Sequence, residues 1–135
     1  KKAQEAIPQH SDIQLLNAGI DDREVKEYIP SESLDAIVCT LVLCTVPNLN
    51  NALERCLQLL KPGGKMLVFE HVQARSEKWA KVQKVATPVW KLLAEGCHLN
   101  RATDALLLDY GFQVKEERSY KKLLEWYEAI LVKPQ

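Results

Sequence analysis

Residues 59–70, LLKPGGKMLVFE, decide the fold. Leu59 and Leu60 close an apolar helical stretch. The Pro62-Gly63-Gly64 triplet stops that helix, because proline cannot continue it and glycine accepts the left-handed conformation that follows its end. Residues 65–71, with the apolar residues 66–69 at their centre, then predict a buried strand. A helix therefore leads directly into a buried strand at this point.

A similar apolar run lies upstream. Residues 36–43, AIVCTLVL, predict a strand at the centre of a parallel sheet, covered by helices on both faces. Between the two runs, Asn48 is a suitable N-cap for a helix over residues 49–60. The apolar side chains of this helix fall on one stripe: Ala52, Leu53, Cys56, Leu57 and Leu60. Strand, helix and strand at this spacing predict a right-handed parallel crossover.

The downstream half predicts two more helices and a strand pair. Residues 76–94 fit a long helix with a kink or break at Pro88, and residues 103–110 fit a shorter one. One face of the long helix is apolar: Trp79, Val82, Val85 and Ala86. Residues 112–118 and 126–132 predict two strands, and the short segment between them makes them antiparallel neighbours.

The N-terminal part predicts shorter elements. Residues 1–9 fit an amphipathic helix broken by Pro8, residues 13–16 fit a strand, and residues 21–28 fit a short helix. Neither a repeat nor a linker divides the sequence. We therefore expect a single domain over residues 1–135.

Composition and charge exclude some functions. The chain has 135 residues, 47% of them hydrophobic, with 18 basic and 18 acidic side chains. Scattered basic residues at zero net charge argue against nucleic-acid binding, which gathers lysine and arginine on one face. The longest apolar run, residues 36–46, is far shorter than the ~20 residues that a membrane helix needs. We expect no nucleic-acid partner and no membrane span.

The four cysteines are Cys39, Cys44, Cys56 and Cys97. Their spacing matches neither a zinc-binding pattern nor a redox Cys-x-x-Cys motif. Three of them lie in apolar contexts, where a reduced thiol behaves as a small hydrophobic side chain. The sequence therefore predicts free thiols and no metal site.

Parallel α/β units followed by an antiparallel strand pair, together with the LLKPGGKMLVFE segment, resemble the class I methyltransferases that use S-adenosylmethionine. Three further segments, CTLVLCTV at 39–46, EHV at 70–72 and GCHLNR at 96–101, are similar to one subgroup. That subgroup includes the methyltransferase-like seven proteins, the thiol methyltransferases of animals, and their bacterial relatives. The resemblance runs over the whole chain and implies a Rossmann-like α/β fold with S-adenosylmethionine as the cofactor.

The chain departs from the family pattern on its N-terminal side. Family members begin with a strand, a Gly-x-Gly-x-Gly loop, a helix and a second strand ending in an acidic residue, which together hold much of the cofactor. This sequence contains no such loop, so we expect the C-terminal part of a methyltransferase, without strands 1 and 2 and with weak cofactor binding. In the family strand order, 3-2-1-4-5-7-6, one edge of the strand at residues 35–43 is then unpaired. Three outcomes stay open: rearrangement, direct pairing with residues 13–16, or association with another chain.

The resemblance places cofactor contacts after two strands. The residues of these two segments are Asn17, Ala18, Gly19, Ile20, Thr40, Leu41 and Val42. In the family, the first segment contacts the adenine and the second lies under the sulfonium and the ribose. Ile20 stands where many members have an acidic residue that binds the adenine amino group. An ordinary strand-to-helix loop and an ordinary buried strand end are the structural alternatives.

Two histidines, His71 and His98, are expected at the mouth of the same site. Methyl transfer is a displacement for which the enzyme mainly supplies proximity and orientation. A thiol acceptor with a pKa near ~8.5 is mostly protonated at pH 7, and a histidine with a pKa near ~6.5 can remove its proton. A structural hydrogen bond is the alternative for either histidine. Trp79, Val89 and Trp90 either wall an apolar acceptor pocket or belong to the core.

The sequence predicts an S-adenosylmethionine-dependent methyltransferase acting on a small apolar acceptor, with an alkyl thiol as the specific candidate. The alternative is a non-catalytic fragment or interaction module that has lost cofactor binding. A nucleotide-binding oxidoreductase is disfavoured by the antiparallel tail and the lack of a phosphate loop. The expected location is the cytoplasm, or the cytosolic face of a membrane if an anchor precedes Lys1.

Overall fold

The computed structural model describes residues 12–121 and 124–135. The helix expected over residues 1–9 lies outside these ranges. The described elements are α1 (Arg23–Tyr28), β1 (Leu34–Thr40), α2 (Leu49–Leu59), β2 (Leu60–Val72), α3 (Glu77–Leu93), α4 (Thr103–Asp109), β3 (Gln113–Lys121) and β4 (Glu125–Val132). Apart from the strand expected at residues 13–16, their types and order agree with the sequence.

The four strands form one sheet in the order β1-β2-β4-β3. β1 pairs with β2 in parallel, as expected for two strands joined by the crossover helix α2. β4 pairs antiparallel with both β2 and β3. The structure confirms an α/β sheet with an antiparallel C-terminal strand pair.

Local chemistry sets the two ends of α2. At its start, the Asn48 side chain accepts a hydrogen bond from the backbone amide of Asn51 at 3.1 Å, which confirms the predicted cap. The proline and glycines that follow the helix lie within the first residues of β2. There the register between β1 and β2 shifts, and Gly63 has a φ of +75°. The glycines thus allow the chain to bulge before regular pairing begins.

The core lies between one face of the sheet and helices α2 and α4. Leu53 of α2, Leu107 of α4 and Met66 of β2 are all fully buried in one cluster. Leu57, expected on the buried stripe of α2, is only partly buried at the edge of this cluster. The helix is therefore rotated slightly from the orientation that its apolar spacing predicts.

The expectation that helices cover both faces of the first strand is wrong for the described residues. Cys39 faces the core and is 7% exposed, whereas Val38 on the opposite face is 69% exposed. Leu67, which pairs with Val38 in β2, is also exposed. Strand β1 is the outer strand of the sheet. The sequence of β1 is apolar on both faces, as in a strand that is buried on both sides. The described helices α2 and α4 cover only one of these faces.

The strand expected at residues 13–16 is also absent from the structure. This segment has no regular secondary structure, and Ile13 and Leu16 are exposed. A strand is stable only when its backbone groups pair with a neighbour, and within residues 12–121 and 124–135 no strand lies beside it. Direct pairing of this segment with β1 is therefore not observed.

Helix α3 runs through Pro88, and its predicted apolar face is not a core face. Val85 is 80% exposed, whereas the buried positions are Gln83 and Thr87. The Gln83 side chain accepts a hydrogen bond from the Ala74 amide at 2.7 Å, which fixes the polar side of the helix inward. No helix in the described part of the chain is long and apolar enough to cross a lipid bilayer.

Candidate functional site

Three segments meet at the carboxyl end of the parallel strands: the loop after β1, the end of β2, and the turn before α4. The Leu41 amide donates to the Phe69 carbonyl at 2.9 Å. In the turn, the His98 amide donates to the Cys44 carbonyl at 2.8 Å. Ligands of open α/β sheets bind outside this edge, so the convergence marks the candidate site.

Glu70 organises the loop after β1. Its side chain is fully buried and accepts hydrogen bonds from the backbone amides of Val42, Leu43 and Cys44 at 2.7, 2.9 and 3.3 Å. Leu41, just before these amides, has a φ of +54°, a conformation that non-glycine residues rarely adopt. The carboxylate therefore holds a strained turn in place.

The role of Glu70 was not predicted, although the sequence contains a signal for it. Glu70 is the one acidic residue between Leu60 and Val72, and it directly follows the apolar residues 66–69. A charged residue in a buried strand needs hydrogen-bond partners. The sequence does not show where those partners are, because the loop amides lie nearly thirty positions earlier in the chain.

Arg101 joins the turn before α4 to the same loop. Its guanidinium donates to the Leu43 carbonyl at 2.7 Å. Burial lowers the pKa of Arg101, while Cys44, Cys97 and Glu70 act in the opposite direction. The arginine thus forms a second contact that fixes the loop after β1 against the turn.

A histidine and two thiols lie together beneath this loop. The His71 Nε2 atom lies 2.7 Å from the Cys97 sulfur, and the donor atoms of Cys44, His71 and Cys97 all lie within 4.8 Å of one another. All three residues are buried. Burial lowers the pKa of His71 and raises that of Cys44, which Glu70 raises further. A neutral imidazole and a neutral Cys44 thiol are therefore the stable forms in the protein near pH 7.

The second nitrogen of His71 has an unusual environment. Nδ1 is buried and has no hydrogen-bond partner among the described residues. The neighbouring Trp126 ring contacts the imidazole edge-on, with centroids 6.3 Å apart, and offers no acceptor there. His71 therefore faces protein atoms rather than an open site.

His98 differs from His71 in exposure and orientation. It is partly exposed, and its Nδ1 atom lies 3.2 Å from the Cys44 carbonyl oxygen. Because a carbonyl only accepts, Nδ1 carries the proton in the neutral ring and Nε2 keeps the lone pair. Burial and the Arg101 charge lower the pKa of His98, whereas hydrogen bonds to the backbone of Cys44 and Gly96 partly raise it again. The imidazole is therefore neutral at pH 7 and able to accept a proton at Nε2.

An apolar cavity of about 350 Å³ lies between α3 and the segment that follows His98. Trp79 and Trp90 of α3 line it, together with Leu99, the residue after His98. The Lys121 ammonium lies 5.8 Å from the centre of the Trp79 ring at the rim of this cavity. Val89, also expected in an acceptor pocket, is exposed and is not among the lining residues.

The two segments expected to contact a cofactor are residues 40–42 and residues 17–20. Thr40, Leu41 and Val42 are all exposed at the end of β1. Residues 17–20 lead into a turn over residues 19–22, in which the Gly19 amide donates a 2.6 Å hydrogen bond to the Asp22 carboxylate. Ile20 of this turn packs against the core cluster, which also contains Cys39 of β1.

A family model described as a methyltransferase domain matches residues 1–69, just over half of the chain. The chain therefore belongs to the methyltransferase domain family. The sheet order, the site at the carboxyl ends of the strands and the family match together define a class I S-adenosylmethionine-dependent methyltransferase fold.

Curated relatives and a solved structure agree with this class. The chain is 40% identical over 81 residues to "Thiol S-methyltransferase TMT1B" of Rattus norvegicus, covering 59% of this chain and 33% of that protein. It is 31% identical over 122 residues to "Thiol S-methyltransferase TMT1A" of Homo sapiens, covering 90% and 50% respectively. The chain thus spans at most half the length of these two relatives. A SAM-dependent methyltransferase structure from Methanosarcina mazei matches 77% of this chain and 61% of that one, with a TM-score of 0.57 at 19% identity, which shows the fold.

Proposed function

We propose that the protein transfers the methyl group of S-adenosylmethionine to a small apolar thiol. The observation that carries this proposal is an oriented, neutral His98 whose chain neighbour, Leu99, lines an apolar cavity together with aromatic rings. The names of the two thiol S-methyltransferase relatives support the same acceptor chemistry. Methyl transfer from S-adenosylmethionine is the general part of this proposal, and the thiol as methyl acceptor is its specific part.

The residues present fit one part of a cofactor site. Thr40 to Val42 present a hydroxyl and an apolar surface without a positive charge, which suits a cationic sulfonium. Residues 17–20 would border the adenine. When bound, S-adenosylmethionine supplies an electrophilic methyl group. The glycine-rich loop of the family is not among these 135 residues, so this chain is expected to contribute only that part of the site.

We assign the base to His98 rather than to His71. A general base must reach the acceptor proton, and His98 is partly exposed while His71 is 4% exposed and faces Cys97. The Cys44 carbonyl fixes the tautomer of His98 so that its lone pair is on Nε2. His98 would take the proton of the acceptor thiol on this nitrogen. The resulting thiolate would then accept the methyl group as the methyl–sulfonium bond of the cofactor breaks and S-adenosylhomocysteine leaves.

The cavity supplies selectivity for an apolar acceptor. Its volume lies near the lower end of the ~300–1,000 Å³ range of small-molecule sites, so it suits a compact molecule. Trp79 and Trp90 offer flat apolar surfaces to an alkyl or aryl group. A thiol enters such a pocket at lower cost than a hydroxyl, because sulfur is a weak hydrogen-bonding group.

The test uses the protein expressed from its full reading frame, S-adenosylmethionine, and two acceptors that differ in one atom. An alkyl thiol and the alcohol with the same alkyl group are compared by following the methylated product. We expect methylation of the thiol and at least about 100-fold less of the alcohol, because an alcohol remains protonated near neutral pH. Equal rates for the two acceptors, or no transfer to the thiol, would refute the thiol assignment.

A matched pair of variants tests the pocket. Trp90→Ala enlarges the cavity that would hold the alkyl group, whereas Trp126→Ala removes a ring beside His71 that does not line it. We expect Trp90→Ala to raise the KM for the thiol, with a smaller change for Trp126→Ala. A larger KM change for Trp126→Ala would place the acceptor elsewhere.

A further inference from the structure

Cys44, His71 and Cys97 come from three separate segments, and their side chains form the one group of potential metal ligands found among the described residues. Cys44 lies in the loop after β1, His71 at the end of β2, and Cys97 in the turn before α4. At 1%, 4% and 6% exposure, the three residues are largely shielded from solvent. Nothing in the proposed methyl transfer uses these three groups.

We propose that Cys44, His71 and Cys97 bind one zinc ion. Two thiolates and one imidazole are ligands that zinc prefers, and three protein ligands leave one coordination position for a small exogenous ligand. Zinc bound by two thiolates carries no net charge, which suits a site as buried as this one. Binding follows a balanced reaction: two thiols, one neutral imidazole and Zn²⁺ give the neutral complex and two protons.

The geometry requires only a small adjustment. Zinc lies about 2.3 Å from sulfur and about 2.0–2.1 Å from nitrogen, so nitrogen and sulfur on one tetrahedral zinc are about 3.5 Å apart. The His71 Nε2 and Cys97 sulfur atoms are 2.7 Å apart and must separate by less than one ångström. All donor atoms already lie within 4.8 Å of one another. The backbone contact between His98 and Cys44 holds two of the three segments together.

The surroundings of His71 limit the expected affinity. When Nε2 binds a metal, Nδ1 carries the proton, and a ligating histidine usually donates this proton to a carbonyl or a carboxylate. The Nδ1 atom of His71 has no such partner among the described residues. We therefore expect zinc binding weaker than that of a site whose outer hydrogen bonds are complete.

The chain contains its own matched control. Cys39 and Cys56 are a second pair of buried free thiols, and both lie in the apolar core cluster. No metal-ligand group of the described residues includes them. A serine substitution in this pair perturbs a buried thiol to a similar degree but leaves the proposed ligands unchanged.

The test titrates the metal-free protein, stripped with a chelator, with zinc ions alone. Calorimetry is expected to show one zinc per chain, with a proton release that differs between buffers of different ionisation enthalpy. Cys44→Ser and Cys97→Ser should each weaken binding at least about 100-fold, since even outer-shell changes cost 10–100-fold. Cys39→Ser and Cys56→Ser should retain the wild-type affinity. No saturable binding to the wild type, or unchanged binding to Cys44→Ser, would overturn the proposal.

A spectroscopic measurement on the wild type covers the case in which a variant fails to fold. Cobalt(II) replaces zinc in such sites, and a bound thiolate gives an intense sulfur-to-cobalt charge-transfer absorption. We expect this absorption to saturate at one cobalt per chain, to have the intensity of two thiolates, and to disappear on addition of zinc. Bound cobalt without this absorption would show that the two cysteines are not ligands.

Discussion

Leu53 on the covered face of the sheet and Glu70 at its carboxyl end are both fully buried, yet their neighbours differ in kind. Leu53 lies in a cluster built from hydrophobic side chains. Glu70 lies among backbone amides, with His71 and the thiols of Cys44 and Cys97 nearby. Buried polar groups cost stability unless each is paired, so a fold gains little from gathering them at one point. We infer from this difference that the region around Leu53 stabilises the protein, whereas the region around Glu70 forms the candidate functional site.

The largest stability effect is expected on the covered face. Leu53→Ala removes a fully buried side chain from the centre of the core and should lower the free energy of unfolding by about 2–5 kcal/mol. Denaturant titration measures this loss. Leu57→Ala, on the same helix but only partly buried, is the control and should lose clearly less. Equal losses for the two variants would mean that Leu57 is as fully enclosed in the core as Leu53.

A smaller loss of free energy of unfolding is expected from a change at the carboxyl end of the parallel strands. Glu70→Gln keeps the size of the side chain but leaves fewer acceptor sites for the amides of the loop after β1. Leaving a buried donor unsatisfied costs about 1–3 kcal/mol. The control is Glu128→Gln on β4, where the side chain is exposed. If Glu70→Gln destabilises no more than this control, the carboxylate does not hold the loop.

The two regions should also differ in their dependence on pH. Burial lowers the pKa of His71 in the folded state, so the unfolded state binds more protons once the pH falls below about 6.5. The free energy of unfolding should therefore decrease as the pH drops from 6.5 toward the lowered pKa, by at most about 1.4 kcal/mol per pH unit. His71→Gln should flatten this slope, leaving the weaker contribution of the more exposed His98. A slope that is the same with and without His71 would contradict its burial as a neutral ring.

The smallest effect is expected on the uncovered face. Val38 is 69% exposed, so Val38→Ser should change the free energy of unfolding by less than about 0.5 kcal/mol. Denaturant titration at low protein concentration measures it. A loss comparable to that of Leu53→Ala would show that another segment or another chain covers this face.

Local signals account for the covered face. The Asn48 cap, the apolar spacing of α2 and the glycines after it lie within a few residues of one another, and the structure confirms the helix and strand that they predict. The strand pair at the C-terminus follows from its short connection. The predicted buried stripe of α2 agrees with the structure except at Leu57, which is only partly buried. Hydrophobic periodicity defines the buried face of a helix only to within about one residue.

Long-range packing accounts for what the sequence did not predict. The apolar residues at 13–16 suggest a strand, but the described residues provide no neighbour with which they could pair. The predicted buried face of α3 was wrong because the hydrogen bond that Gln83 accepts from the Ala74 amide, rather than apolar spacing, orients the helix. Spacing along the chain could not reveal the cluster of Cys44, His71 and Cys97, since three distant segments supply one ligand each.

Both histidines were candidates from the sequence, and only three-dimensional contacts distinguish them. His71 lies against Cys97, while a backbone carbonyl orients His98. Assignment of the base to His98 is the central claim of the proposed function. This assignment predicts how the rate of methyl transfer depends on pH, which measurements of protein stability do not report.

The most direct test is the rate of methyl transfer to one alkyl thiol as a function of pH, for the wild type, His98→Asn and His71→Asn, each expressed from the full reading frame. At pH 7 the His98→Asn rate should be lower by roughly 10²-fold or more, the usual contribution of a general base. That gap should narrow as the pH approaches the thiol pKa near ~8.5, because the solvent then ionises the acceptor. The His71→Asn profile should run parallel to that of the wild type. A parallel profile for His98→Asn, with the selective recovery at high pH appearing in His71→Asn instead, would contradict the account.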